Sequence, residues 1–201
     1  MARPRIGVVA YQGAVPEHIR ALERAGAEAV PVKWPKDLAG LDGIIIPGGE
    51  STAIGDAMKT WGLMDAMAEW VKAGGAVYGT CAGAILIAGE IVNGKPGQPH
   101  LGIIPMKAHR NGFGRQVDSF EADLRIPQLG DEPLRAVFIR APFFEVDHPE
   151  VEILATVDDK VVAVRYGRHL ATAFHPELTD DLRMHRYFIE LATAKQPVAK
   201  P

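Results

Sequence analysis

The sequence predicts an α/β domain built on a mixed, mostly parallel sheet, and three observations carry that expectation. Before about Gly94, short apolar, β-branched runs alternate with amphipathic stretches, the rhythm of βαβ units whose helices cover the faces of a parallel sheet. After it, successive strand-like runs follow one another without long helices, so part of the sheet must be antiparallel or mixed. Finally, 201 residues at 21.7 kDa supply one domain with a sizeable core and too little chain for two, so residues 1–201 are expected to form a single unit.

Residues 6–11 read as the first strand. Residues 16–25 read as an amphipathic helix, because Ile19, Leu22 and Ala25 recur at three-residue spacing while Glu17, Arg20, Glu23 and Arg24 fall elsewhere, and Gly26 supplies the stop. A second strand over 29–33 precedes residues 43–46, which are apolar on both faces and therefore predict a central strand. A helix is expected over 56–72, a strand over 76–78 and an apolar helical run over 84–88. Strands are then expected over 101–105, 116–126, 136–139, 151–157, 161–166 and 169–174, the last two joined at Gly167-Arg168 as a tight hairpin. Asp180 or Asp181 is expected to cap a final helix that carries Leu182, Tyr187, Phe188 and Leu191 to the core, and residues 196–201, with two prolines, to fray. No repeat, low-complexity tract or linker marks a second domain.

Composition excludes several classes of function. A net charge of -3 and a pI near 6.2 leave no basic excess to neutralise a nucleic-acid backbone. No apolar run approaches the ~20 residues that cross a bilayer, and the N-terminal residues lack the pattern of a signal peptide, so a cytoplasmic protein is expected. The single cysteine, Cys81, excludes an intramolecular disulfide and a thiolate-rich zinc site.

That cysteine lies in Gly79-Thr80-Cys81-Ala82-Gly83, between a strand and an apolar helical run. The pattern is a Gly-x-nucleophile-x-Gly elbow, in which flanking glycines permit a strained strand-to-helix turn that lifts the nucleophile above the sheet edge. A helix N-terminus favours thiolate over thiol, and the amide of Ala82 is the natural first donor to an oxyanion. A thiol nucleophile needs a base and a group to orient it, and His175-Pro176-Glu177 offers both at the end of a predicted strand. The remaining histidines, His18 and His185 in predicted helices and His100, His109, His148 and His169 near turns, read as surface or hydrogen-bonding residues. Pro47-Gly48-Gly49-Glu50-Ser51 leaves the central strand at the end where α/β sheets bind ligands. Gly49 there is the candidate second oxyanion donor, although a turn that caps a helix through Ser51 reads the same way. Arg110 to Arg115, with Arg140, suits bidentate pairing to a carboxylate, and solvated surface arginines would look alike.

At these residues the chain resembles the class I, triad-type glutamine amidotransferases, and more narrowly the glutaminase subunits of pyridoxal 5′-phosphate synthase. The elbow and His175-Pro176-Glu177 carry the general pattern. The narrower one is carried by Tyr11-Gln12-Gly13-Ala14 with Glu17-His18, by Pro47 to Thr52, by the block Arg110 to Glu121, by Phe138-Ile139-Arg140-Ala141-Pro142 and by Phe174 to Thr179. The match runs in order from Ile6 to about Leu191; Tyr11 stands where Leu is expected and Gly112 where Ser is common, and residues 93–100 read as a variable loop. The resemblance implies the three-layer, flavodoxin-like fold of that class with its nucleophile elbow. It implies a Cys81-His175-Glu177 triad, oxyanion donors at Gly49 and Ala82, and glutamine held by Gly49, Glu50, Ser51, Arg110, Ile139 and Arg140. It also implies L-glutamine as substrate, a hetero-oligomer with the synthase subunit in which Gln12 lies near the interface, and no cofactor or metal. Family members are poor glutaminases until the partner docks and sets the oxyanion loop, and the same is expected of residues 47–51. The rivals are a glutaminase subunit feeding another synthase, such as that of histidine biosynthesis, and a cysteine hydrolase of other specificity.

Overall fold

In a computed structural model that describes residues 2–114 and 117–195, β1 (Arg5–Val9) opens the sheet and the chain passes through α1 (Val15–Arg24) to β2 (Glu28–Val32). It then crosses to β3 (Gly43–Ile46), the fully buried strand read from its continuous apolar run. Helices α2 (Ser51–Thr60) and α3 (Leu63–Lys72) lead into the equally buried β4 (Ala76–Thr80), which turns straight into the short α4 (Ala82–Ile87). The strands β5 (Ala88–Val92), β6 (Ile104–His109), β7 (Ser119–Leu124), β8 (Leu134–Ile139), β9 (Phe143–Glu145), β10 (Glu152–Val157), β11 (Lys160–Tyr166) and β12 (His169–Thr172) follow. Helix α5 (Arg183–Thr193) closes the described chain.

The main sheet has the order β2-β1-β3-β4-β12-β11-β9-β6-β5, with β10 also on β11. From β2 to β12 every neighbouring pair is parallel, as is β5 with β6, whereas β11 runs antiparallel to β12, β10 and β9, and β9 to β6. β7 and β8 form a separate antiparallel ribbon. The steps β1 to β2 and β3 to β4 run in opposite directions across the sheet, so right-handed crossovers put α1 on one face and α2 and α3 on the other. Helix α5 packs beside α1, and α4 beside α2, which completes three layers. Ile44, Ile45, Val77, Tyr78, Phe174 and Phe188 are fully enclosed between them, with the Tyr78 and Phe188 rings 5.4 Å apart.

The structure corrects several boundaries. The helix expected over 56–72 is two helices, starting at Ser51 and interrupted at Gly62, whose φ of 76° is left-handed. The apolar period continues through that break and conceals it. The run over 84–88 ends as a helix at Ile87, and Ala88 begins β5. The strand expected over 101–105 lies at Ile104–His109, where burial alternates. The strand expected over 116–126 runs over Ser119–Leu124, with Val117 and Asp118 outside it; Arg115, Gln116 and the tail 196–201 fall outside the described residues. The final helix is capped by neither aspartate: Leu182 is the capping position, and Asp181 Oδ1 accepts the Arg183 amide at 3.0 Å.

Candidate active site

The segments singled out in the sequence converge at the C-terminal ends of the parallel strands, beside the point where strand order reverses. Gln12 follows β1, residues 47–51 follow β3, Cys81 follows β4 and His175 follows β12. At the elbow Cys81 adopts φ 51° and ψ −107°, a left-handed backbone that its surroundings enforce. Its amide donates to Thr172 O at 2.8 Å and its carbonyl accepts from the Ile85 amide at 3.2 Å. The flanking glycines do not carry the strain, as neither has a positive φ. They make room instead: a Cβ on Gly79 would lie 2.4 Å from Gly83 O, and one on Gly83 would lie 1.9 Å from Ile46 O.

His175 is held from two sides. Its amide donates to Val137 O at 2.9 Å, and its Nδ1–H donates to Glu177 Oε1 at 2.6 Å, which leaves Nε2 for the Cys81 thiol. Glu177 follows Pro176 in a single 3₁₀ turn, so the short sequence spacing returns its carboxylate beneath the ring it orients. Gly48 sits against this pair: a Cβ there would come within 2.4 Å of His175 Cε1 and 3.4 Å of Cys81 Cβ. Burial pulls the His175 pKa down, but hydrogen bonds to Cys81 and Glu177, reinforced by their charge, outweigh it and hold the imidazole up to about 10.

In front of Cys81 and His175 opens a cleft of about 330 Å³. Gly49, Glu50, Ser51 and Ala82 line one part of it, and Arg110, Ile139 and Arg140 another, so every candidate substrate residue borders the same space. Gln12 lines it too, and its Oε1 accepts the Glu50 amide at 2.9 Å, which ties the strand-one loop to residues 49–50. The helix cap is Glu50, not Ser51: its carboxylate accepts the Thr52 and Ala53 amides at 3.2 and 2.7 Å. Desolvation raises the Glu50 pKa, but those two amides and the Arg110 guanidinium at 3.3 Å prevail and lower it. Ser51 is buried instead, where its Oγ accepts from Gln98 Nε2 at 3.1 Å. Arg110 also reaches Gln98 Oε1, at 3.4 Å, so a glutamine from the Gly- and Pro-rich loop braces the substrate-facing side chains.

Sequence reasoning missed Gln98, and it missed Ile85 in the cleft wall, whereas Asn111, within the segment 110–115 that it singled out, does line the cleft. It also read His18 and His185 as surface or hydrogen-bonding residues. Both are fully buried and hydrogen-bonded behind Glu177. A signal for His18 existed, since it lies four residues before the buried Leu22 and thus on the core stripe of α1. Among the described residues no group of three or more His, Cys, Asp and Glu side chains could hold a metal, and no helix is long and apolar enough to cross a membrane.

A strained elbow thiol with a histidine beside it, at the C-terminal edge of this mixed three-layer sheet, defines the class I glutamine amidotransferase architecture. A solved glutamine amidotransferase superposes with a TM-score of 0.88 at 49% identity, covering 94% of this chain and 99% of its own. A putative GMP synthase component from Thermoplasma acidophilum, 16% identical, shares the fold at a TM-score of 0.68 over 96% of this chain and 95% of its own. The chain belongs to the SNO glutamine amidotransferase family, whose model matches residues 8–194. It is 55% identical, over 92% of its length and 96% of the relative's, to the pyridoxal 5′-phosphate synthase subunit PdxT of Carboxydothermus hydrogenoformans. It is 52% identical to the subunit of that name from Moorella thermoacetica, over 93% of this chain and 98% of that one.

Proposed function

We propose that this protein hydrolyses the side-chain amide of L-glutamine at Cys81 and delivers the ammonia to the synthase subunit that makes pyridoxal 5′-phosphate. One observation carries the reading: Cys81 and His175 line one cleft, with Glu177 buried behind the His175 ring at 2.6 Å from Nδ1, in a chain about half identical over nearly its whole length to subunits of that synthase. Cys81 Sγ, its proton already held on His175 Nε2, attacks the carboxamide carbon, and the amides of Gly49 and Ala82 hold the tetrahedral oxyanion. The C–N bond breaks as His175 returns the proton to the leaving nitrogen, which gives ammonia and a γ-glutamyl thioester. His175 then takes a proton from water, which attacks the thioester carbon; the C–S bond breaks with the sulfur leaving beside the protonated His175, and glutamate leaves. Arg110 and Arg140 suit the substrate carboxylate, while Glu50, Ser51 and Ile139 complete its cradle. The thiol, base and amides suffice, so no cofactor takes part.

The hetero-oligomer with the synthase forms in the cytoplasm, with Gln12 at the docking face and residues 47–51 set in their active geometry by the partner. The test measures glutamate release from glutamine by wild type and Cys81→Ala, alone and with the pyridoxal 5′-phosphate synthase subunit. Release that rises on adding the partner and vanishes in the mutant is expected. Partner-independent release lost in Cys81→Ala would reassign the ammonia to another synthase, and no release under any condition would overturn the glutaminase reading.

A further inference from the structure

The Glu177 side chain is wholly shielded from solvent, yet only one of its oxygens is hydrogen-bonded: Oε1 takes the His175 proton, while Oε2 has no hydrogen-bond partner. A buried carboxylate with one side unanswered is costly. What faces Oε2 is His18 Nε2 from α1, at 3.5 Å. That nitrogen is also 3.1 Å from Thr80 Oγ1, on the residue just before the nucleophile. The other ring nitrogen of His18 lies 2.9 Å from His185 Nε2 on α5, and His185 Nδ1, at the far end, has no partner. Neither histidine has any exposed surface.

Only one arrangement of protons suits this line. With His185 Nε2–H donating to His18 Nδ1, His18 carries its own proton on Nε2 and presents it to Thr80 Oγ1 and Glu177 Oε2. The far His185 nitrogen is then a bare lone pair. The opposite arrangement lets the Thr80 hydroxyl donate to His18 Nε2, but it strands an N–H on His185 and turns that lone pair onto the carboxylate as well. We propose that His18 and His185 are positioning residues for the base, a buried relay of two imidazoles whose terminal N–H locks the Glu177 carboxylate and hence the His175 ring. Burial first, then the neighbouring His185 and His175, push His18 well below its ordinary pKa, and burial pushes His185 down to about 4, so both stay uncharged where the enzyme works. The ionisable groups facing the relay are Glu177 and His175 on one side, with the Tyr78 hydroxyl of β4 also in the field of Glu177.

The inference deepens the glutaminase reading and rests on it for rates, but the proton arrangement is testable without turnover. In the full-length protein carrying ¹⁵N-labelled histidine, long-range ¹H–¹⁵N NMR should find His18 and His185 neutral from pH 6 to 8 and both protonated on Nε2. His18 protonated on Nδ1, or charged at pH 7, would overturn the relay whatever the enzyme's substrate. In the complex with the synthase subunit, His18→Asn removes the donor at the Nε2 position, whereas His18→Gln can restore an N–H there. The expected result for His18→Asn is a kcat lower by about ten- to a hundredfold with KM for glutamine little changed. The downfield His175 Nδ1–H resonance should shift in that variant, and both properties should recover in His18→Gln. Equal loss in Asn and Gln variants, or loss in neither, would reduce His18 to packing. A wild type without glutaminase activity but with the expected tautomers would instead sink the functional reading and leave the relay intact.

Discussion

Gly48→Ala should disable catalysis with little harm to the fold, and the expected size follows from the geometry. Gly48 does not have the positive φ that strains an alanine, so the substitution acts chiefly through its methyl group. That methyl would lie 2.4 Å from His175 Cε1, and ordinary contact begins at 3.4 Å, so the ring must retreat by about 1 Å. Retreat breaks alignment on both sides, since Nδ1 is held at 2.6 Å by Glu177 and Nε2 must meet the thiol. A displacement of about 1 Å at a reacting group costs about a hundredfold in rate. Overpacking of this kind costs about 1–3 kcal/mol, which for a chain of this size lowers Tm by roughly 2–12 °C and leaves the protein folded at 25 °C. The assay is kcat for glutamate release in the complex, beside a thermal melt of the same sample. A folded Gly48→Ala enzyme with wild-type kcat would refute the idea that this glycine keeps the base in place.

Gly83→Ala should behave differently, because its methyl would lie 1.9 Å from a backbone oxygen, Ile46 O, that cannot rotate away; poor soluble yield or a strongly lowered melt is expected, and a well-folded variant would contradict the packing of α4 on β3. Glu50→Ala removes the cap of α2 and the partner of Arg110 together, so about 1 kcal/mol of stability should go, read as a shift in urea midpoint, with KM for glutamine raised as Arg110 loses its brace. Stability should also fall on both sides of neutrality. The raised His175 pKa contributes stabilisation that is complete below its ordinary value of 6.5 and is lost as pH rises through about 10. Lowered values at His18, His169 and His185 contribute stabilisation present above 6.5 and lost as pH falls, toward about 4 for His169 and His185. Urea midpoints from pH 4 to 10 check both limbs, and a midpoint that climbs on acidification from 6.5 would contradict the buried neutral histidines.

The parts legible in sequence were those whose cause is local. Continuous apolar residues at Gly43–Ile46 could only serve a strand covered on both faces, and the elbow and the His175-Pro176-Glu177 triplet each hold their chemistry within five residues. What escaped depends on meetings across the chain. His18 and His185 are 167 residues apart and touch only because α1 and α5 share a face of the sheet, a consequence of crossover direction that no local spacing encodes. Gln98 reaches Ser51 and Arg110 from a loop whose Gly and Pro content reads as variable. β9 is only three residues long, too short for any periodicity, and joins the sheet through β6 and β11. The elbow motif located a strained turn that its glycines permit, and the structure places the strain on Cys81 itself while Gly79 and Gly83 make room for it.

The two sides of Cys81 are consequently built on different physical terms. On the cleft side Glu50 and Arg110 are partly solvated, so water can replace a lost partner and substitutions there should shift binding more than folding. On the interior side Glu177, His18 and His185 are closed off from water, so each proton has one acceptable place and each lost donor leaves a buried charge or dipole unanswered. On the proposed mechanism, a base that gives up and takes back a proton in each turnover gains from that asymmetry. Its cleft-facing nitrogen would meet a changing series of partners, while the carboxylate behind it is enclosed, 2.6 Å from the other ring nitrogen.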